Sequence, residues 1–335
     1  MLRSLYAGIS GMKANQVKLD VIGNNIANVG TTSFKSGRVR FQDMVSQSMS
    51  DASSPSTNQG GVNPKQVGLG VQVAGIDTMV GQGMMQPTSR NLDVAMDGEG
   101  YLIVATGPVD GKIAVDAAKH TMGTGTLNTS YTRDGALTRD HEGHLLTSDG
   151  FRVMGYAIGG SLSYAGTVLT TKFVDANGPV PTTPVTDIIP LTIPDEVTVV
   201  PIPPATATTA KVKSFSIEKD GTIKATLDNN AVTIIGQIAM ASFNNPAGLG
   251  KLGKNLYESN SNSGEPVVRS AIGSDKITDN SKGYGAMLSG MLEMSNVDLA
   301  EQFTDMIVAT RAFQAAGKTI STGDEILQEI INLKR

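Results

Sequence analysis

The chain has 335 residues and a formal net charge of −4, and only 17% of its residues are charged. This length allows two or three compact regions, and the near-neutral balance gives no electrostatic reason to expect nucleic acid or an anionic membrane as a partner. Cysteine is absent, which excludes disulfides, thiolate metal sites and thiol nucleophiles.

The N-terminal sequence MLRSLYAGISGMKANQ contains no continuous apolar stretch of the length that a secretory signal needs. No segment of the chain approaches the ~18 uninterrupted apolar residues of a membrane span. We therefore expect either a cytoplasmic protein or one that leaves the cell by a route without a cleaved leader.

The N-terminal segment has the heptad-like apolar spacing of a helix that packs against other helices. Its predicted contact positions are Leu2, Leu5, Ile9, Met12, Leu19 and Ile26. Asparagine and glycine tolerate the left-handed conformation that ends a helix. The residues that predict this end are Asn24, Asn25, Asn28 and Gly30.

The middle of the chain has the pattern of β structure. Short apolar runs alternate with Asp-Gly and Glu-Gly pairs, which are turn signals, and such strands indicate a sandwich or barrel. We predict a β-rich core domain from residues 91–156 and 212–283. Residues 31–90 are predicted to be a connecting segment, and we expect its Ser-, Asn-, Gln- and Gly-rich part, 47–66, to be mobile.

Residues 179–204 hold eight of the fourteen prolines, mixed with Val, Ile and Thr. Within sheets proline is confined to edge strands and bulges, so this composition fits either a small edge-strand module or a poorly ordered loop. We favour a small inserted outer β domain at 157–211.

The C-terminal segment has the same heptad-like apolar spacing, in a more regular form. Its predicted contact positions are Leu299, Phe303, Met306, Phe313, Ile320, Leu327 and Ile331. Ser295 and Asp298 have the spacing of a capping box, so the predicted helix begins near Asn296 and runs to the end of the chain. The predicted fold class is mainly β, with terminal α-helices that pair as a coiled coil in a terminal helical domain formed by 1–30 and 284–335.

The two predicted helices have an alternative explanation, which is packing on the chain's own β core. Both carry interior glycines, and each glycine costs up to about 1 kcal/mol relative to alanine. Such helices depend on packing to stay folded. We therefore expect both ends to be poorly ordered in the free monomer and to form a coiled coil on polymerisation.

The sequence carries no recognisable catalytic constellation. His141 and His144 are three residues apart across a Glu-Gly pair, which lacks the helical spacing of a zinc protease and predicts a solvated turn. His120 stands alone in a Thr- and Gly-rich stretch, and we expect it to be exposed. Neither a dinucleotide loop, a Walker loop nor a nucleophile elbow is present. We predict no catalytic, metal-binding or cofactor-binding residue, no cofactor and no enzyme activity.

Both ends resemble a known family. MLRSLYAGISGM at Met1 and LDVIGNNIAN at Leu19 resemble the N-terminal signature of the bacterial flagellar rod and hook proteins, and SNVDL at Ser295 with MIVATRAF at Met306 resembles their C-terminal signature. One departure is Ser33, which stands where the family usually has glycine before the aromatic residue. The matching motif residues are Asn24, Asn25, Asn28, Phe34, Ser295 and Asn296.

Within this family the middle of the chain looks like hook proteins, through LDVAMDGEGY at Leu92, GFRVMGY at Gly150 and NPAGL at Asn245. The resemblance implies a structural subunit of the flagellar hook, a flexible tubular universal joint that transmits motor torque to the filament. The alternative is the distal rod protein of the basal body. In either tube the terminal helices are expected inside and the β domains outside.

The resemblance also implies partners and a location. The implied partners are further copies of the chain in a helical tube, the hook-cap protein, the distal rod and hook–filament junction proteins, and the flagellar export apparatus. Nucleic acid binding and membrane insertion are not expected. The implied location is the extracellular part of the flagellum, reached by export without a cleaved signal peptide.

Overall fold

The computed structural model describes residues 2–55, 60–109, 111–116, 120–123, 125–157, 163–165, 168–170, 174–175, 187–199, 208–269 and 284–333. The chain divides into two compact units. The first comprises Met1–Gly30, Lys35–Gly81 and Asn296–Arg335, and the second comprises Thr31–Phe34 and Gln82–Ser295. The predicted fold class, mainly β with a helix at each end, is confirmed.

The first unit contains both helices and two antiparallel strand pairs. Its elements are α1 (Leu2–Ala27), β1 (Gly37–Asp43), β2 (Ser46–Ser50), β3 (Lys65–Gly68), β4 (Val71–Thr78) and α2 (Leu299–Leu333). Strand β1 pairs with β4, and β2 pairs with β3. The predicted connecting segment 31–90 therefore contains regular strands, and its part 47–66 includes most of β2 and the start of β3.

The start of α2 differs from the prediction. The Oδ1 atom of Asp298 accepts hydrogen bonds from the backbone N–H groups of Ala300 and Glu301, at 2.8 and 3.3 Å. Aspartate is a strong N-cap residue because its carboxylate accepts the free N–H groups of the first turn. The predicted capping box is therefore wrong: Asp298 is the cap itself, and the helix begins at Leu299 and not near Asn296.

The second unit is built from short strands. They are β5 (Met85–Pro87), β6 (Val94–Asp97), β7 (Tyr101–Thr106), β8 (Ile113–Ala114), β9 (Asn128–Thr132), β10 (Thr138–Arg139), β11 (Leu145–Leu146), β12 (Arg152–Ala157), β13 (Ser163–Ala165), β14 (Val168–Thr170), β15 (Val174–Asp175), β16 (Asp187–Pro190), β17 (Glu196–Val199), β18 (Thr208–Ile217), β19 (Thr222–Leu227), β20 (Val232–Ile238), β21 (Met240–Ser242), β22 (Gly250–Gly253), β23 (Leu256–Glu258), β24 (Val267–Val268), β25 (Ala286–Ser289) and β26 (Met291–Glu293). A 3₁₀ turn spans Pro246–Gly248.

Most of these strands join one antiparallel sheet with the central order β17-β18-β19-β20-β12-β7-β9-β23-β22. Strand β7 lies inside this order and is buried on both faces. Leu102 and Val104 belong to one apolar cluster, while Tyr101, Ile103 and Ala105 belong to a second. This division follows from the alternation of side chains along a strand. Three further strand pairs, β6–β25, β5–β26 and β13–β14, also belong to the unit.

Of the described strands in the predicted inserted domain, β13 and β14 pair with each other in a separate two-stranded sheet, and the other strands belong to the main sheet. Strand β15 pairs with β20, and β16 pairs with both β8 and β12. Ile188 and Ile193 of the same stretch are fully buried. Residues 187–199 are therefore part of the core, which differs from the separate outer domain predicted at 157–211. Residues 158–162, 166–167, 171–173, 176–186 and 200–207 of that prediction lie outside the described residues.

Candidate assembly surface on the terminal helices

The two helices pack against each other in antiparallel orientation. Early α1 faces late α2, since a Cβ added at Gly8 would lie 2.7 Å from Thr319 Oγ1. Late α1 faces early α2, since Lys18 Nζ lies 3.2 Å from Asp305 Oδ1. The glycine lets the helices approach closely at a point where a larger side chain would separate them.

The face of α2 that contacts α1 is rotated from the predicted stripe. Residues of α2 that contact α1 include Gln302, Asp305, Ala316, Gly317, Thr319, Ile320 and Gly323. Among the predicted positions, Ile320 makes such a contact, and Met306 and Leu327 are half-buried. The remaining predicted positions are exposed, namely Leu299, Phe303, Phe313 and Ile331. Small and polar residues form much of this contact. A pattern of regularly spaced apolar residues does not predict them.

The predicted contact positions on α1 likewise include residues near α2, half-buried residues and an exposed residue. Leu5 lies near Gly323, and Met12 near Gly317. Leu19 and Ile26 are half-buried, Ile9 is exposed, and the side chain of Leu2 lies outside the described residues. The pattern missed the buried residues Gly8, Ala14, Ile22 and Asn25. Helix α1 also contacts β1 and β4, so its buried surface is wider than a single coiled-coil stripe.

Exposed apolar side chains are concentrated in the first unit. Among the described residues, all the large exposed hydrophobic side chains except Met84 and Leu252 lie there. On α2 they are Leu299, Phe303, Ile307, Val308, Phe313, Ile326, Ile330, Ile331 and Leu333. On and beside the hairpin β2–β3 they are Met44, Val45, Met49, Val62 and Val67. Large exposed apolar surfaces on soluble proteins mark sites of association.

Asn25, a predicted motif residue, joins three elements of the first unit. Its Nδ2 donates to the carbonyl of Gly37 at 2.8 Å and to Gln302 Oε1 at 2.9 Å, and its Oδ1 accepts from the N–H of Gly37 at 2.9 Å. The side chain is buried, so these bonds replace the water that it loses. Asn25 therefore fixes the end of α1 to β1 and to α2.

Asn296 has a similar role before α2. Its Oδ1 accepts from the N–H of Ser36, and its Nδ2 donates to the carbonyls of Met79 and Gly81. The buried Lys35 also donates to the carbonyl of Gly81, at 2.9 Å. Sequence reasoning missed Lys35, because nothing in the sequence distinguishes a buried lysine from an exposed one.

The other motif residues occupy several environments. Asn24 is exposed, and the side chain of Asn28 donates to the Asn24 carbonyl at the end of α1. In the second unit Ser295 is buried, and the ring of Phe34 is half-buried with Lys251 Nζ 5.2 Å from its centre. Burial lowers the pKa of Lys251, and the ring face is an attractive position for its ammonium group.

Ser33 adopts a left-handed backbone conformation, with φ of 55°. Its N–H donates to the carbonyl of Glu293 at 2.8 Å, and its Oγ donates to the carbonyl of Arg133 at 2.7 Å. An L-residue is strained in this region and glycine is not, so glycine would fit this turn without strain. In this chain the buried hydroxyl bond supports the strained conformation.

Two histidine predictions are wrong. His144, predicted in a solvated turn, is buried, and burial lowers its pKa from 6.5. His120, predicted to be exposed, is also buried, and its N–H donates to the carbonyl of Asp116 at 2.7 Å. Long-range packing of neighbouring segments covers both rings, and a local turn signal carries no information about such packing.

The part of the chain that the structure describes contains no group of three or more His, Asp or Glu side chains placed to hold a metal ion. Neither α1 nor α2 is apolar enough over its length to cross a membrane.

Three family models match the chain. They are the flagella basal body rod protein model at residues 5–35, the flagellar hook protein FlgE/F/G D1 domain at 95–225, and the flagellar basal body rod FlgEFG protein C-terminal model at 288–333. The two terminal matches include almost all of α1 and all of α2, and the central match covers much of the second unit.

Individual relatives match over their whole length. The flagellar basal-body rod protein FlgG of Bacillus subtilis (strain 168) is 40% identical over 335 residues, with 100% of both chains covered. The flagellar hook protein FlgE of Borreliella burgdorferi is 31% identical over 468 residues, also with 100% of both chains covered. The solved structure of Helicobacter pylori flagellar hook protein FlgE2 matches with a TM-score of 0.41 and 11% identity, covering 62% of this chain and 100% of that one.

Paired terminal helices with exposed apolar surfaces, together with these matches, define a structural subunit that assembles with others. The chain belongs to the flagellar rod and hook protein family. Members of this family are structural proteins and not enzymes, and its hook and rod subunits polymerise into a tube.

Proposed function

We propose that this chain is the structural subunit of the flagellar hook and polymerises into a flexible tube that transmits motor torque to the filament. The observation that carries assembly is the concentration of exposed apolar side chains in the first unit, on α2 and beside the hairpin β2–β3. The full-length match to a hook protein supports the choice of hook.

A distal rod subunit is the second candidate. The relative with 40% identity is named a rod protein, and its alignment needs no more positions than the 335 residues of this chain. The hook-protein alignment extends over 468 positions, so that hook protein has stretches that this chain lacks. A subunit of this length is therefore consistent with a rod and equally with a small hook.

The predicted contact positions that stay exposed on α2 are the proposed contacts between copies. Fully burying a side chain such as Phe303 contributes on the order of 1.5–3 kcal/mol, so a few of them can hold a subunit in a tube. The described surface of the second unit has only Met84 and Leu252 as large exposed apolar side chains. Contacts between the second units of neighbouring copies would then be polar and weak. Weak contacts suit a joint whose outer surfaces slide as it bends.

The remaining proposals follow from the family. The proposed partners are the hook-cap protein, the distal rod and hook–filament junction proteins, and the flagellar export apparatus, with neither nucleic acid nor membrane insertion involved. The proposed location is the extracellular part of the flagellum, after export through its own channel.

Complementation tests hook against rod. The chain is expressed in one strain that lacks its hook protein and in another that lacks its distal rod protein, and basal bodies are imaged by electron microscopy. Curved tubes in the hook-deficient strain are expected. Straight tubes restored only in the rod-deficient strain would replace the hook proposal with the rod proposal, and no tube in either strain would contradict both.

A pair of variants tests the assembly surface. Phe303→Ser combined with Ile307→Ser removes two side chains that are 51% and 62% exposed on α2. We expect the soluble subunit to keep its circular dichroism spectrum and to lose polymerisation in sedimentation assays. The matched control is Leu252→Ser, which removes an exposed apolar side chain from the second unit and should leave polymerisation intact. Equal polymerisation of both variants would exclude α2 as the assembly surface.

A further inference from the structure

His144 lies in the turn that joins β10 to β11, and its imidazole is buried. Its Nδ1 atom has no hydrogen-bond partner among the described residues, and its Nε2 lies 3.6 Å from Glu142 Oε2. The turn is held by Asp140, whose Oδ1 accepts from the N–H groups of Glu142 and His144 at 3.0 and 2.7 Å. The turn is therefore held in place, and one nitrogen of the ring has neither solvent contact nor a described hydrogen-bond partner.

The same turn holds the core segment that follows β16. The N–H of Ile193 donates to the carbonyl of Gly143 at 2.7 Å, and the N–H of Leu145 donates to the carbonyl of Leu191 at 3.0 Å. His144 is paired with Thr192 between these two bonds. A Cβ at Gly143 would lie 2.5 Å from the carbonyl oxygen of Ile193, so the two backbones are in close contact. We call residues 140–145 together with 191–193 the latch.

Burial and three charged groups influence the pKa of the ring. Burial is the main cause that lowers the pKa of His144, and Arg152 of β12 lowers it further, while Asp140 and Glu142 raise it. The facing residues Leu191, Thr192 and Ile193 carry no titratable group. The next acidic residue on that side is Asp195, whose Oδ1 lies 3.0 Å from Arg139 Nη2 in an exposed ion pair.

We propose that His144 is an acid-sensitive switch that closes the latch when neutral and releases residues 191–193 when protonated. The protonated ring carries a positive charge and an N–H group at the buried Nδ1, in a place that provides no described acceptor. Burying an unpaired polar or charged group is unfavourable, so the protonated state favours the open latch, in which water reaches the ring.

The sign of the pH dependence follows from the lowered pKa. The neutral ring is favoured in the closed latch, so the closed state is most stable above the ordinary histidine value of 6.5. As the pH falls below that value, the open state binds a proton before the closed state does, and stability is lost until the pH reaches the pKa of the closed form. This proposal concerns the second unit alone and does not depend on polymer formation.

Hydrogen exchange on the full-length chain tests the switch. The reporters are the amide hydrogens of Ile193 and Leu145, which donate across the latch, and they are compared at about pH 7.5 and about pH 5 after correction for intrinsic exchange. We expect their protection to fall several-fold at the lower pH, while the amides of Leu102 and Val104 in the central strand β7 stay protected. The proposal is overturned if the protection of Ile193 and Leu145 is unchanged at the lower pH, or if the amides of β7 lose as much protection as they do.

Three variants separate the effect of protonating His144 from other effects of acid. His144→Gln cannot be protonated and should lose the acid response, whereas His141→Gln, at an exposed position, should keep it. Glu142→Gln removes a carboxylate that favours the charged ring, so its latch should open more in acid than that of the unchanged chain. An acid response that persists in His144→Gln contradicts the proposal. Should that variant not fold, a response of Glu142→Gln no larger than that of the unchanged chain contradicts it.

Discussion

Arg133 and Glu293 form an ion pair inside the second unit, with Nε and Oε2 2.9 Å apart and side chains that are 4% and 0% exposed. The second carboxylate oxygen, Oε1, accepts from the N–H of Gly83, and Nη2 of the arginine donates to the carbonyl of Gly98. Each charge is therefore paired and hydrogen-bonded, as buried charges must be. The pair joins the strand that precedes α2 to two distant segments of the unit.

Removing one charge of this pair should strongly destabilise the unit. Glu293→Gln leaves the arginine buried without its counter-ion, and we expect a loss of about 3–5 kcal/mol in the free energy of unfolding. The matched control is Glu196→Gln, which breaks an exposed pair with Lys211 and should cost less than about 1 kcal/mol. Urea titrations followed by circular dichroism measure both, and equal losses would contradict the role of the buried pair.

The turn at Ser33 allows backbone strain to be measured. Both Ser33→Ala and Ser33→Gly remove the buried bond to the Arg133 carbonyl, at a cost of about 1–3 kcal/mol. Only glycine also relieves the left-handed strain, so Ser33→Gly should be about 1–2 kcal/mol more stable than Ser33→Ala. Thermal unfolding of the two variants gives this difference directly. If alanine proves as stable as glycine, strain at Ser33 is excluded.

Two neighbouring asparagines of α1 should differ sharply on substitution. Asn25→Ala leaves the N–H and carbonyl of Gly37 and the side chain of Gln302 without their partner, and we expect a loss of about 2–3 kcal/mol. Asn24→Ala changes an exposed side chain on the same helix and should stay within about 0.5 kcal/mol. Unfolding of both variants, followed by circular dichroism at 222 nm, measures the two losses of stability. Similar effects at the two positions would mean that the Asn25 bonds contribute little.

Two glycines of α1 provide a test of helix contact. Gly23 has nothing within 4 Å of an added Cβ, so Gly23→Ala should stabilise the helix by up to about 1 kcal/mol. At Gly8 the same methyl group would meet Thr319 Oγ1 at 2.7 Å and the Ala316 carbonyl at 3.3 Å. Gly8→Ala should therefore be at least about 1 kcal/mol less stable than Gly23→Ala in thermal unfolding. A larger gain at Gly8 than at Gly23 would show that the helices do not pack closely there.

Much of the fold could be predicted from local patterns. Apolar spacing indicated both helices, and Asp-Gly turns indicated a β-rich middle, because these signals depend on neighbouring residues and on the geometry of each element. The face of α2 could not be predicted in the same way. Its contact with α1 uses Gln302, Ala316 and Gly323, which carry little apolar signal, while Phe303 and Phe313 remain exposed.

The sequence by itself determined the two helices, the β-rich centre and, through its terminal motifs, the family. Tertiary structure alone decided that Lys35, His144 and the pair of Arg133 with Glu293 are buried, and that residues 187–199 belong to the core sheet. The physical reason is that local signals act over a few residues, whereas burial depends on segments that are distant along the chain. A charge or an imidazole has the same local pattern on the surface as in the interior, and only the partners brought to it by folding distinguish the two.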